Sequence, residues 1–213
     1  MGWFAVWLMW LWPLGPESGN DTARTVRDTM TKDEILVAAK DFMRGLGVAD
    51  AALAKVGYGP PPLFDGNRTK PFHFIATKPE AGPPGRVDRV VCVAVDERDG
   101  RVFHKDEAAI RVFAQALGLP ANAATVDGNR IFTAILALRD GEPPNVAKGP
   151  TAVGDPAIGA LVKPPSFELA GEHAVLTGWT SNRTGHALVR HRIVFKKDGT
   201  VELQSANGSD LLK

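Results

Sequence analysis

Six prolines fall between Gly141 and Ser166, and no other feature limits the possible folds as much. Proline fixes φ and removes a backbone donor, so neither a helix interior nor a central strand can run through such a stretch. It reads as a long loop or as a boundary between two units. Two shorter breaks of the same kind, Gly57 to Pro62 and Lys78 to Arg86, divide the first half into smaller pieces.

Between the breaks the chain is patterned. Thr31-Lys32-Asp33-Glu34 has the spacing of a capping box, in which the Thr31 hydroxyl takes a free helix amide while Glu34 reaches back to the cap. The stripe Ile35, Leu36, Ala39, Phe42 and Met43 predicts a helix that Gly45 or Gly47 closes. Ala49 to Val56 adds a short helical piece, and Phe72 to Thr77 reads as a strand. Val87 to Asp96 is the firmest strand, apolar on both faces in its middle and therefore central in its sheet. It turns at Arg98-Asp99-Gly100 into Arg101 to His104. Asp106 then caps a helix with apolar positions Ala109, Ile110, Phe113, Ala114 and Leu117, stopped by Gly118 and Pro120. A third helix spans Arg130 to Leu138. Asp-Gly-Asn-Arg occurs at both 65–68 and 127–130, too short a match to build a duplication on.

The last third reads as an antiparallel meander: Phe167 to Leu169, His173 to Thr180, Ala187 to Lys197 and Thr200 to Ser205. Side chains alternate along a strand, so Ala187, Val189, His191, Ile193 and Phe195 share one face. A three-residue Lys197-Asp198-Gly199 loop with Gly199 left-handed pairs Phe195 with Val201 and Ile193 with Leu203. A two-residue turn would set Phe195 against Glu202, so the first register is expected. The fold class is α+β, helices packed on antiparallel sheet, in one unit or two small subdomains. The divisions are an opening segment 1–16, a polar linker 17–30, an α+β region 31–140, the proline-rich stretch 141–166, the meander 167–205 and a tail 206–213.

The opening stretch from Met1 to Pro16 has no charge and holds four of the five tryptophans. As a helix, the apolar run from Trp3 to Leu14 spans about 18 Å, short of a hydrocarbon core of about 30 Å. Its length suits a signal-peptide apolar region, although no Lys or Arg precedes it and no small-x-small cleavage site follows. Trp3, Trp7 and Trp10 share a helical face, so peripheral membrane contact through residues 3–14 is the rival reading, and an ordinary buried segment a third. Asn-x-Ser/Thr triplets begin at Asn20, Asn67, Asn182 and Asn207. They read either as glycosylation acceptors or as turn residues gathered for local hydrogen bonding.

Few residues invite chemistry. His191 falls on the apolar face, where it is either a buried neutral imidazole or an acid or base lining a pocket. Trp179 on the neighbouring strand is either core or a ligand platform. Arg190, Arg192 and Lys196 share the opposite face of the His191 strand, as a solvated row or as a basic ladder for an anionic partner. Cys92 is alone in Val90-Val91-Cys92-Val93-Ala94-Val95, which excludes an intrachain disulfide and marks a small buried hydrophobe. No nucleophile elbow, phosphate loop, zincin motif or calcium loop is present, and no metal site or cofactor is expected. A net charge of +1 offers no field for nucleic acid.

The segment Val90 to Phe103, VVCVAVDERDGRVF, resembles the strand-turn-strand signature of PepSY-like domains. That family's aromatic residue before the strand is missing. The resemblance implies an extracytoplasmic module, cystatin-like in outline, often associated with inhibition or chaperoning of secreted peptidases; the Gln-x-Val-x-Gly loop of cystatins is absent. The expected function is a secreted or membrane-tethered, non-catalytic binding module for an unidentified protein or small ligand. The alternative is an enzyme or small-ligand carrier with a pocket between helix and sheet lined by Trp179 and His191.

Overall fold

The computed structural model describes residues 29–58, 71–77, 90–149, 156–181 and 187–212. The readings placed on residues 3–14, Asn20, Asn67 and Asn182 fall outside these residues. Asn207 is inside them, exposed at the end of the last strand. Among the described residues no helix is long and apolar enough to cross a membrane.

The fold is α+β, with two antiparallel sheets. Helix α1 (Lys32–Gly45) starts at the Thr31 capping box, both halves of which form: Glu34 N donates to Thr31 Oγ1 at 3.3 Å and Thr31 N to Glu34 Oε2 at 2.7 Å. A short helix α2 (Asp50–Leu53) follows. Strands β1 (Gly57–Tyr58), β2 (Phe72–Ala76), β3 (Cys92–Asp96) and β4 (Val102–Phe103) form the first sheet in that order. Ile75, Val93 and Val95 face α1, where Ile35, Ala39 and Met43 cover them. Phe72, Phe74, Cys92, Ala94 and Phe103 point the other way into the main core. Burial on both faces explains why β2 and β3 lack a polar side.

The firm strand expected from Val87 is shorter than its apolar run. Val91 N donates to the Thr77 hydroxyl and Cys92 N to the carbonyl of Gly141, and ladder pairing starts only at Cys92. Residues 87–89 lie outside the described residues.

Helix α3 (Glu107–Ala116) is capped by the Asp106 carboxylate, which accepts from the amides of Ala108 and Ala109. Helix α4 (Gly128–Asp140) is capped in the same way by Asp127, so the second Asp-Gly-Asn-Arg opens a helix; the first lies outside the described residues. The eight residues Ile131 to Leu138 are all buried. A helix buried all round must be covered on several sides, and α4 touches β3 of the first sheet and strands of the second.

The second sheet holds β5 (Val146–Ala147), β6 (Ser166–Ala170), β7 (His173–Ser181), β8 (Leu188–Phe195) and β9 (Val201–Asn207). β5 and β6 pair with opposite ends of β7, which continues to β8 and β9. The last hairpin adopts the register derived from its sequence, Phe195 with Val201 and Ile193 with Leu203, and Gly199 is left-handed at φ 80°. Ala174, Leu176, Ile193 and Phe195 join Phe72, Phe74 and the α4 residues in one hydrophobic cluster that includes both sheets.

The proline-rich stretch is more than a loop. It contains β5 and a short helix α5 (Pro156–Gly159), and it lays Ala147, Ile158 and Val162 over Trp179 and Leu188. Elements of two and four residues leave no periodicity in sequence.

Gly141 ends α4 with φ 68°, the left-handed region that glycine enters without penalty. A Cβ there would lie 2.3 Å from His104 Cε1. Gly141→Ala is therefore expected to cost about 2 to 3 kcal/mol, from left-handed strain plus the forced displacement of His104. A urea titration checks this, and a midpoint equal to wild type would contradict it.

Candidate binding cleft on the outer face of the second sheet

Strand alternation decides which candidate residues meet. On β8, His191, Ile193 and Phe195 face the core, whereas Arg190, Arg192 and Val194 face outward. β7 pairs Gly178 with His191 and Trp179 with Arg190. Trp179 and Arg190 therefore share the outer face, and His191 lies on the inner one. Among the described residues Trp179 and His191 therefore do not line one pocket: they lie on opposite faces of the sheet, and the cleft at Trp179 does not include His191.

His191 is 3% exposed and both ring nitrogens are satisfied. Nε2 lies 2.8 Å from Thr180 Oγ1 and Nδ1 lies 2.8 Å from Ser205 Oγ. A neutral imidazole has one donor and one acceptor nitrogen, so the two hydroxyls take complementary roles. Phe132 of α4 packs edge-on against the ring at 5.8 Å. Burial, aided by Arg139 and partly opposed by Asp140, pushes the pKa down from 6.5 to about 4. Ser205, His191 and Thr180 have the order of a nucleophile, a base and an orienting group. A ring so buried and so weakly basic is a poor proton acceptor near neutrality, and its bonds serve the sheet.

Outside, the Ala160–Pro164 segment and the sheet enclose a cleft of about 480 Å³. Trp179 and Leu161 supply its apolar surface, Ser166 and Thr177 its hydroxyls, and Arg190, Lys163 and Glu168 its charges. Ser166 and Thr177 are cross-strand partners on β6 and β7. Trp179 is 4% exposed, held by Ala147, Val162 and Leu188. Arg190 is half-buried, and no hydrogen bond or ion pair ties its guanidinium to a described residue. Arg192 lies beyond the cleft on the same face, exposed, with a long 3.4 Å bond from Nη1 to Gln204 Oε1. Lys196 is neutralised by Glu202, as a solvated row would be. Of the row Arg190, Arg192 and Lys196, Arg190 is the member inside the cleft and has no bond to another described residue.

Sequence reasoning missed Lys163 and the cleft role of Glu168. Nothing local signals that the proline-rich segment returns over this face. It also missed the buried pair His73 and Glu97, whose Nε2 and Oε2 lie 2.7 Å apart with Tyr58 edge-on to the His73 ring. A histidine on a strand apolar on both faces was the available signal, since a buried polar group needs a partner. Cys92 is sealed in the core, and burial pushes its thiol up to about 12. Among the described residues no group of His, Cys, Asp and Glu is arranged to hold a metal.

Comparison with known proteins returns no matching family model, no matching curated protein and no matching solved structure. The cleft must be interpreted from its own chemistry.

Proposed function

We propose that the chain is a secreted or membrane-tethered binding module without catalytic activity, and that its cleft receives an anionic group of a partner at Arg190. The observation that carries this reading is the half-buried Arg190 guanidinium, which has no hydrogen bond or ion pair with a described residue and lines the cleft across the strand pair from Trp179. Burying part of a charge costs free energy unless a counter-group completes it, and guanidinium offers a planar fork suited to carboxylate or phosphate. The uncharged apolar opening from Trp3 to Leu14 supports the extracytoplasmic placement. The resemblance of the β3–β4 hairpin to PepSY-like domains supports a protein partner, inhibited or chaperoned.

Titration with inorganic phosphate and with N-acetyl-glutamate amide, followed at the Trp179 indole N–H by NMR, tests the reading. The resonance should shift and saturate in the wild type and stay still in Arg190→Gln. Shifts equal in both proteins, or absent in both, would overturn it.

A further inference from the structure

Resting on that reading, we infer that the occupant of the cleft is an extended peptide segment carrying an acidic side chain for Arg190 and a basic side chain for Glu168. The two charges stand at different places on the same outer face. Glu168 on β6 pairs with Val175 of β7; four residues along β7 is Trp179, which pairs with Arg190 on β8. With about 3.3 Å per residue along a strand and about 4.8 Å between strands, their Cα atoms are about 16 Å apart. Glu168 and Arg190 both line the cleft, and neither has a hydrogen bond or ion pair with a described residue.

A purely anionic ligand would satisfy Arg190 and Lys163 but bring like charge towards Glu168. One that also carries a cation completes both ends. A Cα interval of about 16 Å is much longer than the separation of the two charges in a free amino acid, which sit two bonds apart. It suits an extended chain, in which about three to five residues cover the interval. Between the ends, Ser166 and Thr177 present hydroxyls to main-chain amides and carbonyls, and the exposed Leu161, above the buried Trp179, presents apolar surface to an intervening side chain.

Panning a random-peptide phage library on the full chain tests this, with Arg190→Gln and Glu168→Gln proteins as counter-targets and their thermal midpoints as folding controls. The expected winners carry an acid and a base three to five residues apart. Arg190→Gln should weaken them about tenfold or more, as loss of a charge-assisted bond in a partly buried site does. Glu168→Gln, at an exposed position, should weaken them by about threefold. Winners that carry acids alone and are indifferent to Glu168→Gln would overturn this inference and leave the anion reading standing. Winners indifferent to Arg190→Gln, or no winners at all, would overturn both.

Discussion

Alanine in place of Phe132 is expected to remove about 3 to 5 kcal/mol of folding stability, a large share of the roughly 5 to 15 kcal/mol that natural domains possess. Phe132 is fully buried on the helix between the sheets, with its ring over β7. Gly178 makes the seat: a Cβ built there would stand 2.7 Å from two ring carbons. The glycine in the middle of β7 is thus a close approach of helix to sheet, one of the few reasons a strand interior keeps a residue with no side chain to pack. Loss of the ring would also leave the His191 edge without its aromatic contact. Because one cluster includes both sheets, urea transitions followed at either sheet should move together, with the slope unchanged. A loss below about 1 kcal/mol would mean that β7 collapses into the vacated space and that the ring is not what spaces helix from sheet.

The parts of this fold legible in sequence are those set by neighbours a few residues apart. Thr31 with Glu34, and Asp106 before its helix, announce helix starts through hydrogen bonds spanning two or three residues. The register of the last hairpin follows from alternation and one left-handed glycine, since a slip of one residue would set Phe195 against Glu202 instead of Val201. The cleft obeys no such local rule. Lys163 and Glu168 come from one segment, Thr177 and Trp179 from a second and Arg190 from a third, and only the pairing of β6 with β7, and then of β7 with β8, brings them together. The second of these pairings separates Trp179 from His191. Alternation along β8 was known from sequence, but the parity of β7 against it was not. Trp179 opposite Arg190 rather than opposite His191 decides the face.

Acidification is expected to destabilise the wild type through His191. Buried between Thr180 and Ser205, its ring has a pKa of about 4 in the folded chain against 6.5 ordinarily. Between those values the unfolded chain binds the proton and the folded chain does not, so stability falls as pH falls. The contribution is fully present above about pH 6.5 and is lost progressively down to about pH 4, about 3 kcal/mol in total at 1.36 kcal/mol per pKa unit. Asp96 also loses stability on acidification: burial raises its pKa, but hydrogen bonds from Arg98 outweigh this and hold it below the usual value. A difference measurement removes that background. His191→Gln keeps a donor and an acceptor for the two hydroxyls but has no proton to take up in this range. Urea titrations of both proteins at a series of pH values should therefore give a wild-type stability that falls more steeply than the variant's between pH 6.5 and 4. Parallel curves would show that His191 takes up its proton as readily folded as unfolded. The ring would then be open to water on the inner face, and a role for it as a base would have to be argued afresh from Ser205.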